Sequence, residues 1–278
     1  MSGNLSLAST AVLANGVEMP LFGLGVFKTR EGREVRDAVA WALEAGYRLI
    51  DTAAVYGNEE GVGQAVRESG ADRKSLFITS KVWNSDQGYD STLRAFETSL
   101  AKLNMDYLDL YLVHWPVSGK YRETWRALET LYREGRVRAV GVSNFLEHHL
   151  LDLLETAETV PMLNQVEFHP RLQQPSLQAL CREKGILLQA WSPLMRGQVT
   201  EIPELEELGR KYGKTAVQVT LRWMLQKGIL TIPKSVHRER IRDNADIFDF
   251  GLSSGEMALV DSLDRHIRVG ADPDNFDF

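Results

Sequence analysis

The sequence predicts an α/β fold, a (β/α)8 barrel of the TIM type with an N-terminal β-hairpin and extra helices after strands seven and eight. Three observations predict it. Short, nearly continuous apolar runs recur eight times, as strands buried on both faces of a parallel sheet should read. Segments of helical periodicity alternate with them. No linker or composition break divides the 278 residues, so one barrel domain spanning 1–278 is expected. The alternative is a doubly wound open sheet. Its G-x-G-x-x-G fingerprint is absent, because Gly23-Leu24-Gly25 is followed by Lys28 where the third glycine belongs.

Taken in order, Asn15-Gly16 between Val12-Leu13-Ala14 and Val17-Glu18-Met19 signals the hairpin. Strands are expected at 21–27, 47–52, 76–82, 107–114, 138–143, 162–168, 186–191 and 229–234. In 33–45, Val35, Ala38, Val39, Ala42 and Leu43 form one apolar stripe, and 58–69, 89–104, 121–134, 147–157, 174–184 and 239–249 read similarly. Helices 203–212 and 215–227 precede the eighth strand, and 253–264 follows it. Gly46, Gly135, Gly185 and Gly228 stand between a helix and the next strand, where a left-handed cap residue is wanted. The tail, Val269 to Phe278, is polar and aromatic without a period.

Hydrophobic content of 44% and charged content of 25% are ordinary for a globular chain. A net charge of −6 argues against a nucleic-acid or acidic-membrane partner. Cys181 is the single cysteine, which excludes an internal disulfide and fits a reducing compartment. It reads as helix packing. Met1 to Thr10 lacks the pattern of a signal peptide, and no apolar run approaches the ~18 residues of a membrane span. A cytoplasmic protein is expected, with a monomer as the default.

In such a barrel the active site lies at the C-terminal ends of the strands. Those ends read Asp51, Lys81, His114, Ser143-Asn144, Gln165, Trp191-Ser192 and Lys234-Ser235. Adjacent strands lie ~4.8 Å apart, so Asp51, Lys81 and His114 can converge, with Tyr56 folding over them. A Lys81 ammonium would lower the Tyr56 pKa, Asp51 would orient that lysine, and His114 could donate to the same substrate oxygen. Each residue alone has a plainer explanation: a helix cap, a solvated lysine, a satisfied core histidine, a packed loop tyrosine. Those explanations do not account for all four meeting on one face.

These residues resemble the aldo-keto reductase family, in particular bacterial 2,5-diketogluconate and methylglyoxal reductases. Asp51-x4-Tyr56, Ser80-Lys81 and His114-Trp115-Pro116 match its tetrad. Met19-Pro20, Gly141-Val142-Ser143-Asn144-Phe145, Asn164-Gln165-x-Glu167-x-His169-Pro170, Trp191-Ser192-Pro193-Leu194 and Ile232-Pro233-Lys234-Ser235-Val236 agree in order. The resemblance spans about residues 11 to 250 and implies NADPH-dependent reduction of aldehydes or ketones, with Tyr56 as proton donor. It places NADPH/NADP+ on Thr52, Ser143, Asn144 and Gln165 (the last three at the carboxamide), Trp191 (stacked on the ring), Ser192 and Leu194 (pyrophosphate). Lys234, Ser235 and Arg240 would hold the 2′-phosphate, with Val236 also at the cofactor and Asn244 near the adenine. The residues agree on that last point, since Lys234 and Arg240 flank a hydroxyl at a helix start. A solvated basic helix start reads equally well there.

Phe27, Trp191 and Asp243 depart from the commoner tryptophan, tyrosine and glutamate of the family. By the same matching, Phe27, Trp83, Trp115 and Phe276 would line the substrate pocket. A short 116–121 loop and tail suggest an open pocket for small aldehydes, dicarbonyls such as methylglyoxal, or diketogluconate. No metal is expected, because His148 and His149 are adjacent on a helix and should diverge, and no H-E-x-x-H occurs. Two other functions compete: a non-catalytic NADPH-binding barrel, and a Schiff-base lyase or isomerase acting through Lys81.

Overall fold

The computed structural model describes residues 5–278, so the first four residues of the Met1–Thr10 reading lie outside the described residues. Strands β1 (Thr10–Val12) and β2 (Glu18–Pro20) pair antiparallel around Gly16, whose φ of 86° suits the tight turn. The Asn15 amide donates to the Arg138 carbonyl at 2.9 Å, which docks this hairpin at the N-terminal end of the barrel strands.

Eight parallel strands follow: β3 (Gly23–Gly25), β4 (Leu49–Asp51), β5 (Phe77–Val82), β6 (Leu108–Val113), β7 (Val137–Ser143), β8 (Leu163–Glu167), β9 (Leu187–Trp191) and β10 (Leu230–Thr231). Each pairs with its neighbour in chain order. The ring closes where Phe22 bridges Thr231 and the Thr231 amide donates to the Leu21 carbonyl at 3.0 Å. Every expected strand is present; all but the fifth, which starts one residue earlier at Val137, are trimmed at their ends, most of all the first and the eighth. The near-continuous apolar reading is explained by burial: β3 to β6 have no exposed residue.

The outer layer comprises α1 (Arg33–Glu44), α2 (Glu59–Glu68), α3 (Tyr89–Leu103), α4 (Tyr121–Arg133), α5 (Glu147–Leu154) and α6 (Pro175–Lys184). Then come α7 (Pro203–Tyr212), α8 (Ala216–Gln226), α9 (Arg238–Ala245) and α10 (Ser254–Asp261). All five stripe positions of α1 are buried. Gly46, Gly135, Gly185 and Gly228 have φ of 97°, 71°, 70° and 77°, as their helix-stopping role requires. The helix expected over 239–249 stops at Ala245, where the chain turns away. Cys181 is buried in α6, and burial pushes its thiol up to about 12, so it packs rather than reacts.

Candidate active site

Three consecutive strand ends put three polar side chains side by side. Asp51 ends β4, Lys81 lies near the end of β5, and His114 directly follows β6. A 3₁₀ turn, Ala54–Tyr56, brings Tyr56 back over them. Lys81 is fully buried, and its Nζ donates to Asp51 Oδ1 at 2.6 Å, the Thr52 carbonyl at 2.9 Å and Tyr56 Oη at 3.4 Å. All three ammonium protons are thereby directed. Asp51 Oδ2 accepts from Gln165 Nε2 at 2.7 Å, and that nitrogen also donates to Gln189 Oε1 at 2.7 Å.

Burial raises the Asp51 pKa and lowers that of Lys81, each opposed by the partner's charge. The expected lowering of the Tyr56 pKa is not found. Burial holds it well above 10, and the Asp51 charge adds to that. Burial dominates, and nothing offsets it, because Lys81 lies closer to Asp51 than to the phenol and the pair presents little net positive charge to Tyr56. The phenol therefore keeps its proton firmly at neutral pH. His114 is held well below 6.5 by burial first and the Lys81 charge second, so its imidazole is neutral. Its Nδ1 is buried without a hydrogen-bond partner.

Beside this cluster, Ser143, Asn144 and Gln165 form a linked set at the ends of β7 and β8. Ser143 Oγ donates to the Gln165 carbonyl at 2.8 Å. Asn144 Nδ2 donates to the His114 carbonyl at 2.9 Å and to Ser143 Oγ at 3.2 Å, while its Oδ1 accepts from Trp191 Nε1 at 2.8 Å. Asn144 (φ 65°) and Ser192 (φ 48°) both hold left-handed backbone, a strained conformation for residues other than glycine. The Thr52 hydroxyl is turned inward, donating to Asn58 Oδ1 at 2.7 Å, so its carbonyl rather than its side chain serves the site. Leu194 is half-buried against the core at the start of the kinked loop after β9.

On the far side of the barrel mouth, Lys234 and Arg240 are exposed and form no ion pair among the described residues, whereas Arg238 between them pairs with Glu44. Ser235 and Asn244 are buried, and Val236 is half-buried.

The mouth itself is aromatic. The Phe27 ring lies 5.0 Å from Tyr56, Trp83 lies 5.1 Å from His114, and Trp115 lies 5.0 Å from Phe276. The expected open pocket is corrected here. Phe278 stacks on Trp83 at 5.7 Å, its carbonyl accepts from Asn84 Nδ2 at 2.9 Å, and its edge meets Trp115 at 5.1 Å. The short tail thus reaches across the mouth. Sequence reading passed over Phe278, although its alternation with Phe276 was a usable signal. It named Glu167 in a motif but gave it no role; this fully buried carboxylate accepts from His169 Nε2 at 3.0 Å and from the Val269 amide at 2.6 Å. That contact fixes where the tail begins. Gly270 then lies flat on Trp191, where an added Cβ would sit 2.3 Å from the indole.

The expected divergence of His148 and His149 is also corrected. Both reach Asp274 of the tail, because in the first turn of α5 their rings lean to the same side.

The family model for the Aldo/keto reductase family matches residues 21–265. The uncharacterized oxidoreductase YtbE of Bacillus subtilis is 59% identical over 276 residues, covering 98% of this chain and 99% of the relative. The glyoxal reductase of the same organism is 58% identical over 273 residues, covering 98% and 99%. A crystal structure of a Gox0644 mutant in complex with NADPH superposes with a TM-score of 0.93 at 41% identity, covering 97% of this chain and 99% of that one. Strand order, the buried cluster at the strand ends and these likenesses agree: the chain belongs to the aldo/keto reductase family.

Proposed function

We propose that this enzyme reduces small aldehydes and dicarbonyls with NADPH, and that Tyr56 delivers the proton to the carbonyl oxygen. The observation that carries the reading is the buried chain Asp51–Lys81–Tyr56 beside a neutral His114, beneath an aromatic mouth. The likeness to a glyoxal reductase and to an NADPH-bound neighbour supports substrate class and cofactor.

The residues present fit the cofactor. Lys234 and Arg240, exposed without a carboxylate partner, suit a 2′-phosphate, with Ser235 and Val236 between them and Asn244 on α9 near the adenine. Trp191, Ser192 and Leu194 lie along the path to the nicotinamide end. Ser143, Asn144 and Gln165 have their donors engaged, and Gln165 Oε1 accepts from none of them, which serves a carboxamide NH2. The longest of their mutual bonds, Asn144 to Ser143, is the one to exchange for its oxygen. When bound, NADPH supplies the hydride that the carbonyl carbon receives.

The chain's own residues do the rest. Tyr56 holds its proton until the substrate oxygen turns into an alkoxide, which is far more basic than a phenolate, so transfer runs downhill despite the raised pKa. Lys81 then steadies the phenolate it already touches, and Asp51 and the Thr52 carbonyl keep that lysine aimed. Neutral His114 donates to the same oxygen without bringing a competing charge. Phe27, Trp83, Trp115, Phe276 and Phe278 exclude water and select the apolar part of the substrate. A Schiff-base reaction at Lys81 is disfavoured, because all three of its protons are directed into the site and none of its nitrogen is offered outward.

The same reading takes residues 1–278 as one barrel domain, working as a monomer in the reducing cytoplasm on small-molecule carbonyls. No described helix is long and apolar enough to cross a membrane. The test is Tyr56→Phe: turnover with methylglyoxal falls by roughly 10²–10⁴-fold, the range for losing a positioned acid, while NADPH fluorescence titration is unchanged. Unaltered turnover would sink the proton-donor role, and lost NADPH binding would show that the phenol instead shapes the cofactor site.

A further inference from the structure

Outside the reacting centre, the first turn of α5 and the tail meet in a compact set of donors. His148 Nε2 lies 2.9 Å from Asp274 Oδ1, and His149 Nε2 lies 3.3 Å from the same oxygen. The two rings are 4.0 Å apart, and one ligand atom from each of the three residues lies within 4.8 Å of the others. Two imidazoles and a carboxylate are the donors that a zinc-type divalent metal takes, and the outward side leaves a coordination position for water. We propose that His148, His149 and Asp274 form a divalent transition-metal site that clamps the tail across the barrel mouth.

Tetrahedral bonds of about 2.0–2.1 Å place donors about 3.3 Å apart, so both histidine–aspartate pairs are already near that spacing and only the two imidazole nitrogens must close, by at most roughly 1.5 Å. The side chains can supply it: His148 is 62% exposed and Asp274 47% exposed, so both are free to adjust, whereas His149, at 12%, stays as the fixed post. The proton inventory is specific. The Leu146 amide donates to His149 Nδ1 at 3.2 Å, so the metal-free ring carries its proton on Nε2 and points it at Asp274. Coordination through Nε2 moves that proton to Nδ1, and the Leu146 amide, at a half-buried helix start, turns to water instead. His148 makes the same exchange with no bond lost at its other nitrogen. One weak contact is given up, and three bonds to the metal replace two hydrogen bonds to one oxygen.

The consequence lies two and four residues onward. Phe276 and Phe278 cover Trp115 and Trp83, so fixing Asp274 holds both rings over the mouth. This second step rests on the proposed substrate pocket, whereas metal binding itself does not. The two are therefore tested separately.

Titration calorimetry of the whole protein with zinc chloride, in a non-chelating buffer at neutral pH, should show one site in the micromolar range. Both His148→Ala and Asp274→Asn should weaken it at least tenfold, and neither residue belongs to the reacting centre. No binding, or equal affinity in all three proteins, overturns the site. In turnover assays, zinc should slow an aromatic aldehyde more than methylglyoxal, with EDTA restoring the rate and Asp274→Asn abolishing the difference. Equal slowing of both substrates, or slowing that survives Asp274→Asn, overturns the clamp.

Discussion

The barrel buries an aspartate near each rim, and the two are treated differently. Asp109, near the start of β6, has no exposed side-chain surface, yet it is held by Arg73 at 2.7 Å, Arg138 at 2.8 Å and the Ile78 amide at 2.9 Å. Both arginines keep partial contact with water, at 23% and 41% exposure. Asp51, at the end of β4, instead faces a lysine with no exposure at all. Two forked cations in reach of solvent make a fastener. One sealed lysine, shared between a carboxylate and a phenol, makes a reactive group whose protonation is contested by burial. The difference assigns stability to the lower rim and chemistry to the upper, as barrel enzymes divide their two faces.

The largest effect should come from removing each aspartate in turn. Asp51→Asn leaves a buried ammonium without its partner and should cost about 3–5 kcal/mol, with turnover falling at least ~100-fold. Asp109→Asn, whose arginines can turn to water, should cost about 1–3 kcal/mol and leave turnover within about twofold. Urea denaturation and NADPH oxidation read the two quantities. Similar losses of activity at both positions would break the comparison.

Next in size is the cofactor's phosphate end. Lys234→Ala and Arg240→Ala should each weaken NADPH about tenfold, near 1.4 kcal/mol, and leave NADH nearly unchanged. An equal loss for both cofactors would remove the 2′-phosphate assignment.

A smaller effect appears in pH dependence. His114 is held below its unfolded value near 6.5, so below that pH the unfolded chain binds more protons than the native one. Stability should therefore fall as pH drops through 6.5, and thermal melts of His114→Phe should show less of that decline. The same depression predicts no inflection near 6.5 in the pH profile of turnover. The smallest effect belongs to Phe278→Ala. It should raise KM for an aromatic aldehyde a few-fold, in line with about 0.5–1.5 kcal/mol for a stacked ring, and spare methylglyoxal.

How much of this was legible in the sequence follows a division between the barrel strands and the mouth. Strands buried on both faces announce themselves as apolar runs, and a polar residue ending such a run is conspicuous, so Asp51, Lys81 and His114 could be placed. Their mutual electrostatics could not. The upward shift of Tyr56 comes first from its burial and then from the Asp51 charge, neither of which any spacing encodes. Gln189 was hidden for a related reason: it looks like one more residue inside a strand, yet it holds the amide that steadies Asp51. Helices α1 to α8 followed their stripes within a few residues. The tail has no helical period, and so, beyond the placing of Phe276 with Trp83 and Trp115, its contacts with Glu167 and the histidine pair were invisible. Adjacent histidines on a helix should diverge, but in a first turn a partner from outside the helix can draw them together.

The closure of the sheet carries one more consequence, for the way the chain reaches this state. β10 contributes two residues, and its far side is joined to Phe22, near the other end of the described chain. That seam cannot form until the intervening units are in place, so its loop-closure entropy is met last and by few contacts. Folding should thus pass through an almost complete open sheet whose two edges wait to meet. The turn at Lys234, proposed above to hold the 2′-phosphate, follows directly from the later edge, so a dinucleotide held there would favour the ring over the open sheet.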